Sequence, residues 1–312
     1  MPLILPEDLL SDDVLEREGI FTMDPSRAKH QDIRPLKVAI VNLMPNKEET
    51  ELQLLKMLTN TALQIEIDLV HMDSYRGSHT GGAHLDRFYK TYGEIKDCRY
   101  DGMIITGAPV EKLPYDEIRY WDELKMIFDF AKTNVYSTLF ICWSAQAALH
   151  YFYGVESEKA EEKIFGIYRL SPLKESVLFR GFDDVYAVPQ SRHTFIAPES
   201  LKGCSDVDLL SAHDDLGVAL AETKDHRFIF QFGHWEYDKH TLHNEYLRDL
   251  AKNEAIAPPL NYYEQDNPEG EIRVQWRSAA NLFFTNWLNY CVYQETPYYL
   301  RELSSKPIGR YI

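Results

Sequence analysis

The chain has 312 residues, enough for one large domain or two modest ones, and its 45% hydrophobic and 26% charged residues are ordinary for a globular protein. A formal net charge of −16 argues against nucleic acid and anionic membranes as main partners, because both need a basic footprint. No apolar run reaches the length of a membrane span, the first residues lack the pattern of a secretory signal, and four dispersed cysteines form no CxxC pair; together these predict a cytoplasmic protein with free thiols and no metal site.

Residues 1–35 read as an irregular arm interrupted by Pro2, Pro6, Pro25 and Pro35, with one short helix over Asp12–Glu18 and Ser11 as its N-cap. Lys37–Leu43 is an unbroken apolar run of strand length, as expected for a buried parallel strand. After the turn Met44–Asn46, Leu52, Leu55, Met57 and Leu58 mark a helix over residues 50–63, and Gln64–Val70 alternates like a strand. This β-α-β unit belongs to an open parallel sheet. The polar stretch 71–83 reads as a loop, His84 opens a short helix, and Tyr100–Thr106 is a further buried strand. Tyr115–Lys132 carries Ile118, Trp121, Leu124, Ile127 and Phe128, which predicts one amphipathic helix. Strand Ser137–Ile141 leads through Cys142 into a helix over Ser144–Tyr153, closed by Gly154. The second half holds short strand-like runs in 163–188 and 207–232, a helix over Thr241–Leu250, an aromatic irregular segment, and a final helix beginning at Trp276. The expected organisation is an arm (1–35), one α/β domain with insertions (36–297) and a tail (298–312). Its sheet would be open and mostly parallel, with helices on both faces as in flavodoxin-like folds.

Cys142 stands at a sharp strand-to-helix turn, which is the geometry of a nucleophile elbow. A thiol at a helix N-terminus gains from the helix dipole and unpaired N–H groups, both of which favour the reactive thiolate. A buried structural cysteine is the competing reading of this stretch alone. A thiolate nucleophile needs a base, and the base needs an orienting group. Among 11 histidines, His234 lies just past an apolar strand, Phe228–Phe232, where open α/β sheets place their sites. Glu236 follows two residues on; in an extended segment both side chains project to the same side.

The pairing of Cys142-Trp143 with Gly233-His234-x-Glu236-Tyr237 resembles the MetA-type homoserine O-acyltransferases, the homoserine O-succinyltransferase/O-acetyltransferase family. So do Arg34–Pro45, Ile104–Pro109, Thr138–Ala148, Gly181–Asp183 and Asn281–Tyr290, so that the resemblance spans most of the chain. It implies a class I glutamine-amidotransferase-like fold, a homodimer, and ping-pong transfer of an acyl group from acyl-CoA to the hydroxyl of L-homoserine. No cofactor would be held permanently; acetyl-CoA would be a co-substrate. By the same resemblance Cys142 would carry the acyl thioester, His234 would be the general base and Glu236 its partner, while Lys163, Ser191 and Arg248 would contact the substrate, Arg248 at its carboxylate. The backbone amides of Trp143 and of the loop reaching Val110 would form the oxyanion hole. Glu111, on that loop, would favour acetyl over succinyl donors by repelling a terminal carboxylate, unless it points to solvent.

The chain departs from the family pattern at Ala279-Ala280, at Tyr168–Pro172, and at Trp235, whose bulk would narrow the pocket. Two other readings remain on the same scaffold: a glutamine amidotransferase or cysteine hydrolase, against which Cys142 lacks flanking glycines, and a non-catalytic binding protein.

Overall fold

A computed structural model describes residues 3–4, 22–23, 34–75, 82–252, 256–297 and 299–300. In chain order the elements are β1 (Leu3–Ile4), β2 (Thr22–Met23), β3 (Leu36–Val41), α1 (Lys47–Leu58), β4 (Ile65–Val70), α2 (Gly82–Phe88), β5 (Tyr89–Lys90) and α3 (Tyr92–Ile95). Next come β6 (Tyr100–Ile105), α4 (Trp121–Asn134), β7 (Val135–Ile141), α5 (Trp143–Tyr153), β8 (Glu158–Leu170) and β9 (Tyr186–Phe195). The chain continues with β10 (Val207–His213), β11 (Gly217–Thr223), β12 (Phe228–Gln231), α6 (Thr241–Ala251) and α7 (Arg277–Asn286).

The main sheet runs β10-β11-β12-β7-β6-β3-β4-β1-β2, with β5 also on β4. From β12 to β2 every pairing is parallel, and only β10-β11 and β11-β12 are antiparallel. The apolar runs seen in the sequence are strands buried on both faces: every residue of β6 and of β7 is buried. Period-2 alternation divides β3 between two cores. Val38 and Ile40 join Leu54, Leu55 and Leu58 of α1 and Phe283 of α7, whereas Ala39 and Val41 join Leu124, Ile127 and Phe128 of α4 on the opposite face. Each fully buried side chain of this kind contributes roughly 1.5–3 kcal/mol.

Three expectations need correction. The arm was expected to be irregular, yet β1 and β2 extend the sheet beyond β4, because free strand edges pair with any extended segment within reach. The short helix expected over Asp12–Glu18 lies outside the described residues, as does nearly all of the tail. The helix expected from Tyr115 begins only at Trp121; Tyr115–Glu117 is a single 3-10 turn. Tyr115 looks like part of the apolar stripe because its ring stacks on His150 at 4.2 Å and Trp121 at 4.8 Å. Likewise the final helix leaves α-helical geometry at Asn286 and continues as a π-helical stretch, Trp287–Tyr293.

The segment between α5 and β10 builds a separate two-stranded antiparallel sheet, β8-β9, in register Phe165↔Ser191. Leu260 tethers its edge: Leu260 N–H donates to the Phe165 carbonyl at 3.0 Å and Ile167 N–H to the Leu260 carbonyl at 2.7 Å. This approach requires Gly166, whose φ is 139° and where a Cβ would lie 2.4 Å from Leu260 N and O. No helix among the described residues is long and apolar enough to cross a membrane.

Candidate active site

Cys142 sits between β7 and α5 with φ 54° and ψ −113°, a conformation that costs a non-glycine residue about 1–3 kcal/mol. The surroundings hold it there. Cys142 N–H donates to the Gln231 carbonyl at 2.7 Å, and Ala145 N–H donates to the Cys142 carbonyl at 3.1 Å. The Ser144 hydroxyl accepts from Ile141 N–H at 2.9 Å and donates to the Ile105 carbonyl at 2.7 Å, pinning the turn to the end of β6. Trp143 opens α5, so its N–H belongs to the first helical turn, which lacks intrahelical acceptors.

Strands β7 and β12 run in parallel register with Ile141 opposite Gln231, which brings the segments after both strand ends together. Cys142 and His234 meet over Gly107, where a Cβ would lie 3.3 Å from Cys142 Cβ and 3.7 Å from His234 Cε1. His234 Nδ1 lies 2.6 Å from Glu236 Oε1. The extended conformation expected here is instead a turn, closed by Tyr237 N–H donating to the His234 carbonyl at 3.3 Å. The turn still sets Glu236 beside the ring, and it stacks Tyr237 on His234 with centroids 4.2 Å apart. Burial would push the His234 pKa down, but the charges of Glu236 and of the Cys142 thiolate outweigh it and hold the pKa well above 6.5. The expected narrowing of the pocket by Trp235 does not occur: its indole donates to the Ala187 carbonyl at 3.2 Å and its ring packs on Phe283. Gly233 makes this geometry possible, since a Cβ there would lie 2.2 Å from Val188 Cγ1 and 2.7 Å from Gln190 Nε2. Gly233→Ala is therefore expected to lower stability by about 1–3 kcal/mol, measurable by denaturant unfolding, and to displace His234 enough to reduce turnover.

Lys163 on β8, Ser191 on β9 and Arg248 on α6 all reach this region, and two acidic residues that sequence reasoning missed join them. Ser191 Oγ donates to Glu245 Oε2 at 2.5 Å, and Tyr237 OH donates to Glu245 Oε1 at 3.1 Å. Lys163 Nζ donates to Asp249 Oδ2 at 2.9 Å and lies 3.4 Å from Glu245 Oε2. Arg248 donates to Asp249 Oδ1 through Nε at 2.8 Å and Nη2 at 2.7 Å. Helical spacing was the available signal: Glu245 lies three and four residues before Arg248 and Asp249, so all three share a face of α6. Ser191 also borders the thiol, its carbonyl oxygen lying 4.0 Å from Cys142 Sγ.

Glu111 does not point to solvent. Its Oε1 accepts the His193 N–H at 2.9 Å, and burial raises its pKa above 4.5 against the opposing pull of His193 N–H, Lys163, His234 and Arg192. Arg192 is fully buried and donates to the carbonyls of Leu216 at 2.8 Å and Phe232 at 3.3 Å. Among the described residues no group of three or more His, Cys, Asp and Glu residues is arranged to hold a metal ion.

The fold is that of an α/β protein with an open, mostly parallel sheet, glutamine-amidotransferase-like in architecture. It is similar to a glutamine amidotransferase from Thermotoga maritima (TM-score 0.55, 12% identity, covering 84% of this chain and 100% of that one). A glutamine amidotransferase from Methylobacillus flagellatus is also similar (TM-score 0.52, 13% identity, 86% and 99%). Such distant likenesses define the fold alone. At the sequence level the homoserine O-succinyltransferase family model matches residues 2–298. The chain is 52% identical to a homoserine O-acetyltransferase of Brevibacillus brevis (97% of this chain, 99% of the relative). It is 49% identical to homoserine O-acetyltransferase 1 of Ilyobacter polytropus (96% and 100%). The chain belongs to the homoserine O-succinyltransferase family.

Proposed function

We propose that this protein is a homoserine O-acetyltransferase of methionine biosynthesis, moving the acetyl group of acetyl-CoA to the hydroxyl of L-homoserine through a thioester on Cys142. The observation that carries this reading is Cys142 at its strained turn, grouped with the hydrogen-bonded His234–Glu236 pair and beside the Lys163, Ser191, Glu245 and Arg248 cluster. Full-length relatives bearing that activity's name support it.

In the first half-reaction the Cys142 thiolate attacks the acetyl-CoA carbonyl. The tetrahedral oxyanion is held by backbone N–H groups of Trp143 and of the loop reaching Val110. Collapse expels the CoA thiolate, which takes a proton from the imidazolium of His234. In the second half-reaction the neutral His234 removes the hydroxyl proton of homoserine as its oxygen attacks the thioester. Expulsion of the Cys142 thiolate completes the ester and restores the thiolate–imidazolium pair. Glu236 fixes the Nδ1–H tautomer and stabilises the charged ring. Homoserine binds as a zwitterion, its carboxylate against Arg248 and Lys163 and its ammonium toward Glu245 and the Ser191 hydroxyl. The acyltransferase domain spans 36–297 and the enzyme works as a homodimer.

Succinyl-CoA is the competing donor, as the matching family model is named for succinyl transfer; Glu111 favours acetyl. The test is to incubate the protein with each acyl-CoA without acceptor, measure the mass increment on Cys142, then add L-homoserine and follow the discharge. Acetylation followed by discharge is the expected result. Loading by succinyl-CoA alone would overturn the donor, and no loading by either would overturn the acyl-transfer reading.

A further inference from the structure

We infer that Asp249 is a positioning residue for the acceptor, a buried carboxylate that holds Arg248 and Lys163 together as a single receptor for the carboxylate of homoserine. The inference rests on the acyl-transfer reading above and extends it to a residue that the reaction itself never touches.

The geometry is asymmetric in a way that suits this role. Asp249 is 3% exposed, whereas the Arg248 side chain is 55% exposed and belongs to a long flexible residue. Asp249 divides its two oxygens between two cations, with Lys163 on Oδ2 and Arg248 on Oδ1. Arg248 uses Nε and Nη2, a side-on pairing that leaves its Nη1–Nη2 edge for a second carboxylate. Two cations and two carboxylates, Asp249 and Glu245, make the cluster neutral overall, which suits a zwitterionic acceptor: its carboxylate meets the cations that Asp249 holds together, and its ammonium meets Glu245. Ordering an arginine costs up to about 2 kcal/mol of side-chain entropy, and Asp249 bears that cost before the substrate arrives. The other flank of Lys163 is Glu245, which also accepts from Ser191 and Tyr237. Burial disfavours the ionised Asp249, yet its hydrogen bonds from Lys163 and Arg248 hold its carboxyl below the usual range, so the pairing persists at neutral pH.

The test is Asp249→Asn, which keeps size and removes charge. Two acceptors are compared, L-homoserine and 3-amino-1-propanol, which is homoserine without its carboxylate. Acetyl loading of Cys142 should stay within about twofold of the parent, while KM for L-homoserine rises about tenfold or more and that for 3-amino-1-propanol changes little. Parent-like KM for L-homoserine overturns the inference, as does an equal loss with both acceptors, which is what a merely structural role predicts. If Asp249→Asn does not fold, Asp249→Glu decides: it keeps the charge but moves it by one methylene. It should raise KM for L-homoserine severalfold without affecting the second acceptor, and equal effects on both acceptors overturn the inference. Absence of acetyl loading in the parent would instead overturn the acyl-transfer reading itself.

Discussion

Replacing Cys142 with serine is expected to lower the rate of CoA release by about 10³-fold or more while leaving the fold intact. The substitution exchanges Sγ for Oγ and nothing else. Hydrogen bonds from the Cys142 backbone to Gln231 and Ala145 do not involve the side chain, and the strain at φ 54° is borne equally by either residue. What changes is ionisation. Thiols as a class ionise within a few pKa units of neutrality. A hydroxyl starts far higher and must lose its proton during attack. Retention of His234 and Glu236 does not compensate: against burial, the ring's pKa is held well above 6.5 by the charges of Glu236 and then Cys142, and the substitution removes the second of these. The measurement is acetyl-CoA turnover with L-homoserine, with circular dichroism to show that the fold is retained. Activity close to the parent's would remove Cys142 from the reaction and leave the elbow as a structural turn.

The elbow was legible because its parts are local. An apolar run, a cysteine, then small residues and a helix-like pattern fix a strand, a turn and a helix by periodicity alone, and β7 and α5 appear at those positions. The same holds for β3 and β6, whose burial leaves nearly continuous apolar runs, and for β4, whose alternation puts Glu66 and Asp68 at half-buried positions between buried isoleucine and leucine. Residues 158–163, Glu-Lys-Ala-Glu-Glu-Lys, hide the start of β8, because that part of the strand is mostly exposed and shows no alternation. Without β8-β9 the sequence gives no physical route by which Lys163 and Ser191 approach Cys142; only the family resemblance places them in one site. The start of α4 was misplaced for the opposite reason: Tyr115 is half-buried by stacking in an aromatic cluster and imitates a helix face. Glu245 and Asp249 were readable in principle from their spacing to Arg248. An acidic residue on a helix looks the same whether it faces water or a lysine from a distant strand, and here the partner is 82 to 86 residues away.

Glu111→Gly should shift donor preference toward succinyl-CoA, raising the succinyl-to-acetyl ratio of kcat/KM by about 10²-fold. The magnitude follows from charge. Two carboxylates about 5 Å apart in an environment of effective dielectric near 20 repel by roughly 3 kcal/mol, and this term vanishes with the side chain. Volume adds to it, because glycine opens the space that a succinyl tail would occupy. Glu111→Gln separates the two contributions: it keeps the bulk and an acceptor for His193 N–H but removes the charge, so it should recover only the electrostatic part. The pH dependence gives an independent sign. Burial raises the Glu111 pKa above 4.5, so the neutral form grows as pH falls toward that pKa. In the parent protein the relative use of succinyl-CoA should therefore rise on acidification, whereas in Glu111→Gln this component should be absent. A donor ratio unmoved by Glu111→Gly would mean that selection lies elsewhere along the path of the acyl group. A ratio moved by Glu111→Gly but not by Glu111→Gln would assign selectivity to volume, with the charge of Glu111 serving only to anchor its loop to His193.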